Sequence, residues 1–203
     1  MTQARKPIKW PLIEGPIQLD ALSEDDFPLL DTFFRRPQDL YYYVPTLVFP
    51  RTPAQLRKMM GDWSDYRRFY TFAIRNHGRL AGLLHIDDVD LINGHAEIGI
   101  ALTDPEARGQ GLAARAIRIM VRYAFEELGL VRITARIMDG NVPSQKLFTG
   151  LGFVHEGTMR QFVRRSGSHL DMHIYGLLRS DAASLLAAAD SGHPAGQDFG
   201  RGD

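Results

Sequence analysis

The 203-residue chain contains no cysteine. Disulfides, thiolate metal ligands and cysteine nucleophiles are therefore excluded. It also lacks net charge: 24 Lys and Arg stand against 24 Asp and Glu, so no global field draws it to nucleic acid or a membrane surface. No apolar run approaches the roughly 20 residues that span a bilayer. Met1 to Trp10 carries charges without the apolar centre of a secretory signal. His77, His85, His95 and His173 show no metal-ligand spacing, and no metal is expected. These absences lead to the expectation of a soluble, cytoplasmic protein with no nucleic-acid and no membrane partner. What is present is ordinary globular composition, 44% hydrophobic and 24% charged, at a length that suits one domain with a sizeable core.

Residues 1–15 hold mixed charge and prolines and read as an N-terminal arm, followed by a domain over 16–180 and a C-terminal extension over 181–203, disordered at its end. Ile17 to Leu19 is a first short strand. Ser23 with Asp26 three residues on opens a helix to about Phe34, and Thr52-Pro53-Ala54-Gln55 is a capping box with proline at the first helical position. Phe69 to Arg75 and Leu80 to Ile86 form a hairpin around Asn76-His77-Gly78. In His95 to Leu102, alternation puts Ile98, Ile100 and Leu102 on one face and Glu97, Gly99 and Ala101 on the other. Leu112, Ala116, Ile117, Met120, Phe125 and Leu128 recur at helical spacing, and Gly129 ends that helix. Val131 to Ile137, Phe153 to Glu156 and Met172 to Leu178 are further strands, with the polar stretch Arg160 to His169 between the last two. About seven strands alternate with helices, and a strand–helix–strand unit favours parallel pairing, so the sheet is expected to be mixed.

The most informative stretch joins strand to helix: Glu106-Ala-Arg-Gly-Gln-Gly-Leu-Ala113. Two glycines two residues apart let backbone amides turn toward one point. The helix that starts there adds unpaired N–H groups and the positive end of its dipole. The combination is a seat for a phosphate or pyrophosphate.

Arg108-Gly109-Gln110-Gly111-Leu112-Ala113 fully matches the Arg/Gln-x-x-Gly-x-Gly/Ala signature of the GCN5-related N-acetyltransferase (GNAT) superfamily, which the chain resembles over roughly Pro16 to Arg179. Ala96-Glu97-Ile98-Gly99 with Leu102-Thr103-Asp104-Pro105 looks like the family's fourth strand and its exit. Asn141-Val-Pro-Ser144, Gly150-Leu-Gly-Phe153 and Asp171 to Arg179 are similar to the ribosomal-protein N-terminal (RimJ/RimL-type) subgroup. The resemblance implies an α/β (α+β) GNAT fold, a central mixed, mostly antiparallel sheet splayed between its fourth and fifth strands. It implies an acyltransferase that uses acetyl-CoA as co-substrate.

The implied cofactor-binding residues are Ile100, Leu102, Arg108, Gly109, Gln110, Gly111, Leu112, Ala113, Asn141 and Ser144. The diphosphate rests on the amides of Gly109 to Ala113. The pantetheine arm pairs with the strand edge at Ile100 and Leu102. Glu97 is the candidate base, because an attacking amine must shed a proton near neutral pH. Ser144 is the candidate donor to the departing thiolate. Many family members place a tyrosine further along this helix, where Leu147 and Phe148 stand here. Asn141 contacts the pantetheine arm, caps the helix at Ser144, or does both. The acceptor is a protein N-terminus, or a small amine such as a polyamine, an aminoglycoside or an amino acid. A longer acyl-CoA, a non-catalytic CoA sensor and a homodimer stay open, and so do Tyr41-Tyr42-Tyr43 and the basic stretch of Arg160, Arg164, Arg165 and His169 as acceptor walls.

Overall fold

The computed structural model describes residues 9–43, 50–65 and 68–190. In chain order these form β1 (Leu12–Glu14), β2 (Ile17–Asp20), α1 (Phe27–Phe34), α2 (Pro37–Leu40), α3 (Pro53–Asp62), β3 (Tyr70–Asn76), β4 (Arg79–Asp90), β5 (His95–Leu102), α4 (Leu112–Glu126), β6 (Arg132–Met138), α5 (Val142–Gly150), β7 (Val154–Arg165), β8 (Ser168–Leu178) and α6 (Ala183–Asp190). The strands make one sheet in the order β1-β2-β3-β4-β5-β6-β8-β7. Every neighbouring pair is antiparallel except β5 and β6, so the expected mixed α/β fold holds. No helix among the described residues is long and apolar enough to cross a membrane.

Three boundaries differ from expectation. Residues 12–14, assigned above to the N-terminal arm, form β1 and pair with β2 (Leu12 opposite Leu19), which makes eight strands rather than about seven. The first part of the C-terminal extension is helix α6, whose Leu185 joins the main core and whose Leu186 carbonyl accepts a bond from Arg122 at 3.0 Å. The polar stretch Arg160 to His169 is mostly strand, turning only at Ser166-Gly167 with φ of 48° and 82°. Positive φ at both central residues gives the twist a two-residue hairpin requires. That hairpin was illegible because its side chains do not alternate in polarity. Residues 1–8 of the arm and 191–203 of the extension lie outside the described residues.

The sheet buries a core on each face. Ile98, Leu84 and Ile86 pack against Leu112, Ala116, Ile117, Met120 and Phe125 of α4, the stripe its spacing predicts. On the other face Leu83 and Ala73 pack against Leu30, Phe33 and Phe34 of α1 and Leu56 and Met60 of α3. The Thr52 box closes α3 as expected, with Gln55 N–H donating to Thr52 Oγ1 at 3.3 Å and Thr52 N–H to Gln55 Oε1 at 2.9 Å.

Asp26, 3% exposed, ties the start of α1 to β3 through two bonds from Arg75 at 2.8 and 2.9 Å. Burial alone would raise its pKa, but Arg75 and the Ser23 amide reverse this and hold it below the ordinary carboxylate range. Its contribution is present above the unfolded-state pKa and is lost as pH falls through the lower folded value. Asp26→Ala leaves the half-buried Arg75 guanidinium with only the Ala21 carbonyl at 3.3 Å and is expected to cost about 3 kcal/mol near neutral pH. In acid the difference shrinks, which urea unfolding at the two pH values would show.

Candidate active site

β5 and β6 pair only at His95–Arg132, Ala96–Ile133 and Glu97–Thr134. Beyond Glu97 each strand leaves with its other neighbour: β5 stays with β4 out to Leu102–Gly82, and β6 stays with β8 out to Met138–Met172. The result is a fork, the expected splay between the fourth and fifth predicted strands, here β5 and β6. From Ile98 onward, β5 has an open backbone edge facing the gap. Arg136 Nε donates to Glu97 Oε2 at 2.6 Å beside the point of the fork.

The glycine loop stands at the far end of β5. Gly109 and Gly111 have φ of 75° and 73°, a conformation for which only glycine is unstrained. No heavy atom lies within 4 Å of where their Cβ atoms would be, so both face open space. Gly111 is the residue before α4 and caps it with no side chain, so the first amides of a fifteen-residue helix have no capping partner. Leu112 and Ala113 begin the helix. Arg108 does not extend freely into the opening: its guanidinium bonds to Asp39 at 2.9 Å and to the Leu102 carbonyl at 3.3 Å, clasping α2 to the strand exit. The Gln110 side chain turns back onto the Glu106 carbonyl at 2.6 Å.

Two cavities flank the fork. A cleft of about 540 Å³ is lined by Ile100, Leu102, Arg108, Gly109, Gly111, Leu112, Ala113, Asn141 and Ser144. Nine of the ten expected cofactor-binding residues therefore converge, with Gln110 alone outside the lining. A second cavity of about 260 Å³ lies toward β4 and holds Glu97, His85, Asp87 and Arg136. Ile100, Asn141 and Ser144 border both. Asn141 Oδ1 accepts from the Ser144 amide at 3.3 Å, which caps α5 and leaves the Ser144 hydroxyl outside that bond.

The floor of the smaller cavity follows from strand register. His85 pairs with Gly99 and Asp87 with Glu97, so all four point to one face of the sheet. Gly99 is required by close approach, because a Cβ there would overlap the His85 ring. That ring is also held by Tyr43 and Trp63, with centroids 5.9 and 6.5 Å away. Burial depresses the His85 pKa to about 4, so the imidazole is neutral. Burial pushes Asp87 up to about 7, helped by the charges of Glu97 and Asp88 and opposed by Arg136. Glu97 is raised by burial as well, against the bond and the charge of Arg136.

The three consecutive tyrosines diverge. Tyr41 packs against Met138, Val163 and Met172, Tyr42 borders both cavities, and Tyr43 buries its hydroxyl without a partner. The β7–β8 hairpin contributes Phe162 and Met172 to the smaller cavity and none of its arginines. Phe162 sits in a bulge between Met159 and Val163 and lines the cavity while staying half-exposed. Sequence reasoning missed His85, Asp87, Arg136 and Phe162. Its strand ended at Ile86, although Leu83, His85 and Asp87 continue the alternation on one face.

An open strand edge, an uncapped glycine-led helix and an acidic pocket between them define an acyl-transfer fold. The family model of the acetyltransferase (GNAT) domain matches residues 17–154, and the chain belongs to that family and is an acyltransferase. It is 25% identical over 165 residues to the prophage-derived, uncharacterized N-acetyltransferase YokL of Bacillus subtilis, covering 81% of this chain and 91% of the relative. It is 35% identical over 123 residues to YdaF of the same species, which carries a provisional name as a ribosomal N-acetyltransferase (58% of this chain, 67% of YdaF). The fold superposes on Mycobacterium smegmatis RimJ, solved with CoA-disulfide, at a TM-score of 0.77 and 21% identity, over 89% of this chain and 96% of that one.

Proposed function

We propose that the protein transfers the acetyl group of acetyl-CoA to the primary amine at a protein N-terminus, by direct attack in a ternary complex. The observation that carries this is the meeting of the two cavities at Ile100, Asn141 and Ser144. One has the shape and backbone donors for a nucleotide-like thioester; the other is acidic and takes a cation. The provisional name of YdaF, as a ribosomal N-acetyltransferase, supports a protein N-terminus as the acceptor.

In this reading the diphosphate sits on the amides from Gly109 to Ala113, where the α4 dipole and unpaired N–H groups favour negative charge. The pantetheine arm completes the sheet along the open edge at Ile100 and Leu102, with Asn141 at its side. Arg108 acts through the clasp on Asp39 and Leu102, which sets the spacing of loop and strand. The acceptor amine enters over the acidic floor that contains Glu97, loses a proton, and attacks the thioester carbonyl. Collapse expels the CoA thiolate, to which Ser144 donates. Holding two reactants in line supplies much of the rate, and no covalent enzyme intermediate is needed. A small amine is the second reading, favoured by the 260 Å³ volume, which suits one side chain or one compact amine.

Thiol release from acetyl-CoA, followed with peptides bearing N-terminal Ala, Ser or Met and with spermidine, tests the reading. Acetylation of a peptide N-terminus supports it, and preference for spermidine selects the second reading. CoA binding without turnover on any amine would overturn both. Ser144→Ala is expected to lower kcat about a hundredfold and CoA affinity much less, the effect of losing a proton donor. An unaltered rate removes Ser144 from the chemistry.

A further inference from the structure

We propose that Asp87 holds the acceptor's proton during acetyl transfer, and that Glu97, locked to Arg136, is the positioning residue beside it. This rests on the acetyl-transfer reading above. Asp87 is 9% exposed and lines the acidic cavity together with Asn141 and Ser144. Its Oδ1 is buried and has no hydrogen-bond partner. A buried carboxylate oxygen without a partner is expensive and calls for a ligand that supplies one. Glu97 is different: one of its oxygens already receives Arg136 at 2.6 Å.

The local backbone supports the assignment. Just after Asp87 the β4–β5 ladder bulges, and Asp88 adopts φ of 46°, unusual for a residue other than glycine. The bulge ends regular pairing where Asp87 faces the cavity, as bulges beside functional sites do. Carboxylate oxygens of Asp87, Asp88 and Glu97 lie within 4.8 Å of one another.

Groups from three strands and one turn face Asp87. From β4 come His85, neutral, with Nε2 3.8 Å from Asp87 Oδ2, and the exposed Asp88. From β5 comes Glu97, from β6 Arg136, and from the turn after α2 the buried phenol of Tyr43, whose pKa burial and the Asp87 charge push up. With Asp87 and Glu97 ionised and only Arg136 to balance them, the buried floor is one cation short. An acceptor ammonium supplies that charge and keeps Asp87 ionised until transfer.

The step balances. An N–H bond of the ammonium breaks and an O–H bond forms on Asp87, which leaves a neutral amine. Its lone pair attacks the thioester carbonyl carbon, and the C=O π pair moves to oxygen. Re-formation of C=O breaks C–S, and the second amine proton reaches the thiolate through Ser144. The products are the amide and CoA thiol, and Asp87 returns its proton to solvent. A carboxyl with a folded pKa near 7 is matched to this task, since it accepts a proton at neutral pH and gives it up again.

The test compares two acceptors on the full chain: a peptide with a free α-amine and the same peptide capped by an aminooxyacetyl group, whose nitrogen is neutral at about pH 7 and has no proton to shed before attack. Asp87→Asn is expected to lower kcat/KM for the free amine about a hundredfold and to leave the aminooxy peptide nearly unaffected. CoA affinity stays unchanged. Stability at neutral pH is unchanged or higher, because a carboxyl whose pKa is raised on folding loses stability as pH climbs from its unfolded value toward about 7, and asparagine does not. Asp87→Glu, which keeps the carboxylate, restores part of the free-amine rate. Should Asp87→Asn fail to fold, Asp87→Ser reads the same difference. Equal losses on both acceptors, or no loss on either, would overturn the role of Asp87. A wild-type protein that binds CoA and acetylates neither peptide nor spermidine overturns the acetyl-transfer reading itself.

Discussion

Gly111→Trp is expected to weaken CoA binding about a thousandfold while the protein stays folded. Two separate facts set these two outcomes. Apart from its chain neighbours, no heavy atom lies within 4 Å of where a Cβ at Gly111 would be, so a side chain leaves the backbone there without a clash. The φ of 73° disfavours any L-residue by about 1–2 kcal/mol, an amount a domain of this size tolerates. A ligand diphosphate has no such freedom, because the same empty space is where it would meet the Gly111 to Ala113 amides. Losing two charge-assisted bonds at about 1.5–3 kcal/mol each accounts for a factor near a thousand. Titration calorimetry with CoA, beside a thermal melt, checks both halves. Undiminished affinity would remove the loop from the cofactor site.

Gly99→Val is expected to abolish acceptor turnover, by about a thousandfold in kcat/KM, with CoA affinity changed little. A side chain at 99 overlaps the His85 ring, and that ring cannot retreat, since Tyr43 and Trp63 hold it. Overpacking of this kind costs about 1–3 kcal/mol of stability. The ring's remaining exit is toward the 260 Å³ cavity that it lines with Asp87 and Glu97, and filling that volume displaces the acceptor. The cofactor cleft, lined by Ile100, Leu102 and the glycine loop, lies past the mutated position. A single-turnover assay with separate CoA and acceptor titrations distinguishes this outcome from general unfolding, which would remove both activities.

The two predictions differ in how visible their basis is before folding. The α3 box and the Asn141 cap are local, with bonds between residues three apart, and the glycine turn is a run of neighbouring residues, so residue type and spacing are enough to see them. The apolar stripe of α4 is equally legible, and Leu112, Ala116, Ile117, Met120 and Phe125 are all buried. β1 and the distal β7–β8 hairpin were not legible. β1 is only three residues long, and the outer part of β7 leaves nearly every side chain in solvent, so neither has a polarity pattern to detect. The acceptor cavity was the least visible feature. His85, Asp87, Gly99, Arg136 and Phe162 come from four strands and acquire a common purpose only through register and one bulge.

The sequence by itself determined the side of the fork proposed for the donor: a glycine turn of positive φ, the strand that leads to it, the serine turn beside it, and the helix whose first amides it leaves open. Each depends on the conformational limits of neighbouring residues, which are properties of the chain before it folds. Only the tertiary structure decided the side proposed for the acceptor. It forked β5 from β6, engaged Glu97 with Arg136, turned Arg108 into a clasp, and left an unpartnered Asp87 facing the pocket. Those outcomes depend on which distant side chains share a low-dielectric space, and both the strength of a charge and its partner are set there.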